Sequence, residues 1–414
     1  MTGAGDGVLR RARLRDRDGL ADVAIAGGRI VSITDSIDGG GGGEAIDAAG
    51  RLVTPGLVES HIHLDKALLD DRVRATAGTL AEAIRLTGEA KREFTVDDIR
   101  RRARRVLDTA VRCGTTAMRT HVEVDPIVGL TGMEAVLPLR EEYAPALDLQ
   151  VCAFAQEGIL KSPGTEALLR RALTMGADLV GGCPYNDTDG VEHIRVVFRL
   201  ALAFGVDVDF HADFADEPYH LHVREIAAET LAAGWEGRVT VGHLTELAAL
   251  PTGIQDDIAA EIARAGMGVI CLPVTDLYLM GRLDDHNVRR GLTPIARLLA
   301  AGVPVALASN NIRNPFTPVG TADLTHMAFV AAVAAHMGTP AQLRDLLDAI
   351  TIHPARMLRL PDYGLAPGCH ADLVVWECER PEDIVAALPA RALVLKRGRV
   401  TVESEQRVTE RWRT

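Results

Sequence analysis

Apolar positions in this chain follow two patterns. From about residue 55 onward, short runs rich in Val, Ile, Leu and Ala alternate with longer stretches whose apolar residues recur at helical spacing. Eight runs read as strands: 56–63, 115–122, 147–156, 178–184, 206–213, 238–243, 267–273 and 303–310. Stretches such as 194–204 and 341–350 read as helices between or after them. Apolar strands alternating with helices are the pattern of parallel βα units, and eight such units predict a closed (β/α)8 barrel.

The chain ends read differently. Residues 8–14, 20–25 and 29–33 are short strand-like runs with Gly27-Gly28 as a turn, and 368–376 and 392–396 return to strand character. The expected architecture is an α/β fold in which residues 55–364 form a TIM-like barrel. Residues 1–54 and 365–414 are expected to build one small β-sandwich module from both ends. The glycine run 39–43 lacks a G-K-[ST] ending and a following helix, so it reads as a hairpin tip and not a phosphate loop.

Composition narrows the function. Of 414 residues, 47% are hydrophobic, enough for a large buried sheet, and the formal charge is −12. No dense basic run is interleaved with aromatics. The richest basic patch, Arg100 to Arg105, shares its segment with Ile99, Ala103, Val106 and Leu107 and reads as a solvated helix face, so nucleic acid is not an expected partner. The first residues carry no apolar signal segment, and no apolar run approaches the ~20 residues of a membrane helix. Cys113, Cys152, Cys183, Cys271, Cys369 and Cys378 have no C-x-x-C spacing and read as reduced residues of a cytoplasmic protein.

A barrel of this kind carries its chemistry where its strands stop. The first predicted strand ends in His61-Ile-His63, and period-two geometry puts both imidazoles on one face. Neutral imidazole is a good ligand for zinc or iron(II). Later strands end in Gln156-Glu157-Gly158, His211-Ala-Asp213, Gly242-His243 and Ser309-Asn310-Asn311. Histidines placed only for packing would not sort themselves onto strand ends.

With these strand ends in place, the chain resembles the amidohydrolase superfamily, and within it cytosine deaminase and related N-heterocycle aminohydrolases. The similar segments are Glu59-Ser-His-Ile-His-Leu-Asp65, Arg119-Thr-His-Val-Glu-Val124, Ala155-Gln-Glu-Gly-Ile-Leu160, Leu272-Pro-Val-Thr-Asp-Leu277 with Gly281-Arg282, and Asn314-Pro-Phe-Thr-Pro318. The resemblance implies that His61, His63 and His211 hold one divalent metal ion, zinc or iron. It implies that His243 polarises water or substrate and that Gln156 bonds the edge of a planar heterocycle. The implied reaction is hydrolysis of a C–N bond by water that the ion has acidified.

Two departures stand out against the family pattern. The aspartate usual at the end of the eighth strand is Asn310, and the glutamate three residues after the fifth-strand histidine is Phe214. An amide oxygen ligates weakly and accepts no proton at neutral pH, so Asn310 is expected as a weak ligand or a positioning group. Proton transfer then falls first to His243, since imidazole has an unperturbed pKa of about 6.5. Asp213 follows, on its period-two relation to His211, and then Glu217 on the next loop. Phe214, Asp276, Arg282 and Asn311 are expected against the substrate, with Asp276 and Arg282 alternatively pairing with each other. Asp65 and Lys66 are expected to orient the metal ligands.

The end of the fourth strand, Gly181-Gly-Cys-Pro-Tyr185, offers no lysine for a bridging carbamate, which favours one metal over two. The leading expectation is a deaminase-like hydrolase of a small nitrogen heterocycle. The alternatives are ring-opening hydrolysis of a cyclic amide or imide, and a small-molecule-binding homologue that has lost turnover. A homo-oligomer is expected from the resemblance alone.

Overall fold

The computed structural model describes residues 6–37, 44–405, 407 and 409–412, so the glycine run 39–43 and the first five residues lie outside the described part. The N-terminal strands are β1 (Gly7–Leu14), β2 (Leu20–Ala26), β3 (Arg29–Thr34), β4 (Glu44–Asp47) and β5 (Leu52–Pro55). The barrel strands follow: β6 (Leu57–Ile62), β7 (Thr115–Glu123), β8 (Asp148–Ala155), β9 (Leu179–Gly182), β10 (Asp207–Ala212), β11 (Val239–His243), β12 (Gly268–Cys271) and β13 (Val305–Leu307). The tail adds β14 (Leu373–Trp376), β15 (Arg391–Lys396) and β16 (Arg399–Glu403).

Strands β6 to β13 pair in sequence order, all parallel, as the eight apolar runs require. They are buried along almost their whole length because helices cover the outer face and side chains fill the inside. The sheet nearly closes on itself. Asn310 N donates to His61 O at 2.8 Å and His63 N to Asn310 O at 2.9 Å, a parallel bridge between Ile62 and Asn310.

The connecting helices carry ordinary stop and start chemistry. Asp189 caps the helix Gly190–Phe204 by accepting from Glu192 N, and Gly205 ends it with φ +67°. In the helix Val96–Arg112, Ile99, Ala103, Val106 and Leu107 face the core. Its basic patch is mixed: Arg104 meets Glu142 at the surface, whereas Arg102 is buried and donates to Asp98 and to Ala67 O.

The chain ends form a separate sheet. In place of a sandwich of two sheets, its strands follow one hydrogen-bonded path, β16-β15-β14-β5-β1-β2-β3, with β4 beside β1. Strand β1 explains this: one edge pairs with β2, while the other pairs with β4 through residues 7–10 and with β5 through residues 13–14. The two arms share a core that includes Leu9, Val23, Ile30, Val53, Leu373 and Val375. Strands β4, β5 and β16 were not expected from sequence; all three are short, and β16 is half-exposed. Lys396 ties this sheet to the barrel, its Nζ 2.9 Å from Thr116 O and 2.7 Å from both Asp148 and Asp372.

Candidate active site

The strand ends bring His61, His63 and His211 together inside the barrel mouth. Nε2 of His211 lies 3.0 Å from Nε2 of His61 and 3.1 Å from Nε2 of His63. All three rings are buried. Burial first, and then the neighbouring rings, with Lys66 added for His61 and His63, holds each well below the usual imidazole pKa, so they stand as neutral rings. Neutral lone pairs facing one another at this distance repel unless a proton or a cation lies between them. Asn310 adds a buried side-chain oxygen with no hydrogen-bond partner. This donor set, imidazole nitrogens and one amide oxygen, fits a divalent transition metal.

His121 joins the same cluster, and sequence reasoning gave it no role. It is interior-facing on β7, its ring stacked on His61 at 4.0 Å between centroids. Ring nitrogens of His61, His121 and His211 all lie within 4.8 Å of one another. His121 Nε2 is also 3.2 Å from Asp209 Oδ1, whose other oxygen takes a 3.0 Å bond from Arg119. With an anionic carboxylate behind it, His121 backs the cluster, whereas His63 faces His211 directly. The signal was available, because 119, 121 and 123 share one face of a strand.

His243 stands beside this group, 5.1 Å from the His211 ring, with Nδ1 2.7 Å from Asp276 Oδ1 and its ring stacked on Phe214 at 3.8 Å. Asp276 is fully buried; burial raises its pKa and His243 opposes that rise. Gly242 precedes His243 because a Cβ there would lie 3.1 Å from His61 Cε1. His243 and Asn310 have φ of +76° and +57°, left-handed values that mark the turn out of the barrel at both positions.

Gln156, Phe214, His243, Asn310 and Asn311 line a small cavity together with His63, His211, Lys66 and Phe316. The space among them is tight, with an empty volume of about 220 Å3 that includes open solvent. Asn311 Oδ1 accepts from Asn314 Nδ2 at 2.7 Å, and Asn314 also takes the backbone N–H groups of Phe316 and Thr317.

Four expected positions are corrected. Asp213 turns away from the cavity: its carboxylate takes the backbone N–H groups of His222 at 2.7 Å and Val223 at 3.0 Å, at the start of the helix His222–Ala233. Strand β10 stops at Ala212 and Asp213 has φ +48°, so strand alternation no longer governs it. Glu217 is half-exposed on its loop and paired with Arg289. Arg282 lies over the Tyr278 ring at 4.3 Å and donates to Tyr278 O, apart from both Asp276 and the cavity. Asp276 reaches the site through His243 and is absent from the cavity lining.

A charged network that the sequence did not disclose lies beneath Lys66. Lys66 Nζ is 2.7 Å from Glu123 Oε1, and Lys91 Nζ is 2.7 Å from Glu123 Oε2, 2.7 Å from Asp125 and 2.8 Å from Glu157. Burial would raise Glu123, yet the two lysines hold it down at about 2. Asp65, buried and next to that charge, is pushed up to about 6. Lys91 already occupies the acidic cluster of Glu123, Asp125 and Glu157.

A barrel with imidazoles from separate strands at its mouth defines a metal-type hydrolase site, and sequence comparison agrees. A profile described as "Amidohydrolase family" matches residues 44–402, and the chain belongs to that family. The chain is 32% identical over 409 residues, covering 97% of it and 98% of the relative, to N-isopropylammelide isopropyl amidohydrolase of Pseudomonas sp.. It is 29% identical to pterin deaminase of Rhizobium rhizogenes, covering 92% and 87% of the two chains. The crystal structure of 5-methylcytosine deaminase from Klebsiella pneumoniae liganded with 5-fluorocytosine superposes with a TM-score of 0.94 at 31% identity, covering 98% of this chain and 100% of the other.

Proposed function

We propose that this protein hydrolyses a C–N bond of a small nitrogen heterocycle and releases an amine or ammonia, with one divalent zinc or iron ion held by His61, His63 and His211 and weakly by Asn310. The observation that carries the reading is His211 Nε2 facing the Nε2 atoms of His61 and His63 at 3.0 and 3.1 Å, beside an unpartnered amide oxygen. Membership of the amidohydrolase family and relatives named for ammelide, pterin and 5-methylcytosine support the substrate class.

A bound divalent ion supplies Lewis acidity and lowers the pKa of water beside it. The chain's own groups do the rest. Asp276 fixes the His243 ring; with Nδ1 donating to that carboxylate, Nε2 is the basic atom. His243 Nε2 takes the proton from the attacking water and returns it to the departing nitrogen, so the water oxygen replaces the amine on the ring carbon. No carboxylate stands in the cavity lining to share this work. Phe214 covers one face of the imidazole and helps exclude water, while Gln156 and Asn311 offer polar atoms to the edge of a flat ring.

The domain division we adopt is a module of residues 1–54 and 365–414 around a barrel of residues 55–364. We also place the protein in the cytoplasm as a homo-oligomer. All six cysteines are free, and among the described residues no helix is long and apolar enough to cross a membrane. Size-exclusion chromatography with light scattering tests the oligomer, and a single-chain mass would refute it. Metal analysis and ammonia release across pyrimidines, triazines and hydantoins test the activity. Under about a tenth of an equivalent of metal, with no gain on adding zinc or iron(II), would sink the metal hydrolase. A carboxylate product without ammonia would establish ring opening instead.

A further inference from the structure

The hydrolytic step leaves Lys66 without a task. Its side chain is buried and lines the cavity, and its Nζ is 2.7 Å from Glu123, 3.3 Å from Gln156 Oε1 and 4.5 Å from the centre of the Phe316 ring. An ammonium has three N–H donors. Glu123 and Gln156 take two, and the third faces either the ring of Phe316 or whatever enters the cavity. Because Glu123 is itself clamped from behind by Lys91, the Lys66 head is fixed in place instead of swinging freely.

The cavity is short of negative charge. Its lining includes Lys66 and three imidazoles and contains no Asp or Glu, and Glu123, the carboxylate that meets Lys66, is shared with Lys91. Loading a divalent cation onto the imidazoles would add further positive charge in a low-dielectric, water-poor space. A neutral ligand cannot offset that charge, whereas an anionic oxygen can, and interactions of this kind are strong when buried.

We propose that Lys66 is a specificity-determining residue that anchors an anionic oxygen of the substrate, so that this site selects heterocycles carrying an ionised ring oxygen or a carboxylate over neutral amino-heterocycles. The inference rests on the proposed use of this cavity and goes further by stating the charge of what it accepts.

The test is calorimetric titration of the metal-loaded full chain with two single-ring probes, barbiturate, which is ionised at neutral pH, and cytosine, which is neutral. The expected result is barbiturate binding tighter than cytosine by about tenfold or more, a difference of about 1.4 kcal/mol. Lys66→Met should lose about tenfold or more in barbiturate affinity and change cytosine affinity by less than about threefold. Since Lys66→Met leaves Glu123 with one fewer partner, the double variant Lys66→Met/Glu123→Gln removes both charges together and should show the same loss, with metal content and circular dichroism confirming an intact fold. Cytosine binding at least as tight as barbiturate, no binding of either, or barbiturate affinity unchanged in the double variant would overturn the proposal. Ammonia release from neutral rings that does not depend on Lys66 would sink this inference and keep the hydrolase. Lys66-dependent barbiturate binding in a protein that turns over nothing in the panel would do the reverse.

Discussion

At the scale of single residues, the proposed roles divide into groups that would hold a cation and groups that would move protons, and substitutions should separate them. His211→Asn removes the imidazole that faces both His61 and His63, so bound metal should fall below about a tenth of an equivalent. His243→Asn should leave metal content near normal while lowering kcat by about 100-fold to 10,000-fold, the usual worth of a positioned acid–base group. Loss of metal in that variant would move His243 into the ligand set. Asn310→Asp replaces a weak amide ligand with a carboxylate; retention against a chelator should rise, and native turnover should fall because the added charge opposes an anionic substrate. Unchanged turnover would make Asn310 a bystander.

At the scale of elements, strand ends were the readable part of this chain. All eight barrel strands fall within the expected runs or within a residue of them, and the five strand-end residues Gln156, His211, His243, Asn310 and Asn311 meet in one cavity with His63. What failed lay just past the strands. Asp213 was placed by alternation, but the backbone had already turned left-handed there, and the carboxylate went to a helix start. Asp276 was expected against the substrate or paired with Arg282, and sits instead in the short helix Pro273–Leu279, where it can reach back to His243. The Lys66–Glu123–Lys91 network was illegible because its members are 57 and 32 residues apart and only the barrel brings them together. That network predicts a pH effect. Glu123 is held at about 2, below its ordinary 4.5, so its contribution to stability is complete above 4.5 and is lost as the pH falls toward 2. Urea unfolding of Glu123→Gln should show a flatter acid limb over that window, and a loss of about 3–5 kcal/mol at neutral pH from the uncompensated lysines. An unchanged acid limb would mean that Glu123 gains nothing from its partners.

At the scale of the whole molecule, a buried amine helps fasten the terminal sheet to the barrel, beside the ion pairs Arg15–Asp348 and Arg391–Asp323. Lys396 leans on Asp372 of the terminal sheet and on Asp148 and Thr116 O of the barrel. Lys396→Met strands Asp372 without a cation and should cost about 3–5 kcal/mol in chemical unfolding; pairing it with Asp372→Asn should recover part of that loss. Equal stability of the single variant and the parent would show that the other contacts, Arg15–Asp348 and Arg391–Asp323 among them, hold the sheet to the barrel without Lys396.

The barrel's first and last strands meet through the backbone of residues 61, 63 and 310, the same residues whose side chains surround the proposed ion. Ligand binding and ring closure therefore share one hinge point in the covalent chain. A chelated sample should exchange the amide hydrogens of His63 and Asn310 with deuterated solvent faster than a loaded one, while amides in the middle of β8 and β10 keep their protection. The ion would then work as a clasp on the cylinder as well as a reagent, and starvation for metal would open the fold at the place where the chemistry is done.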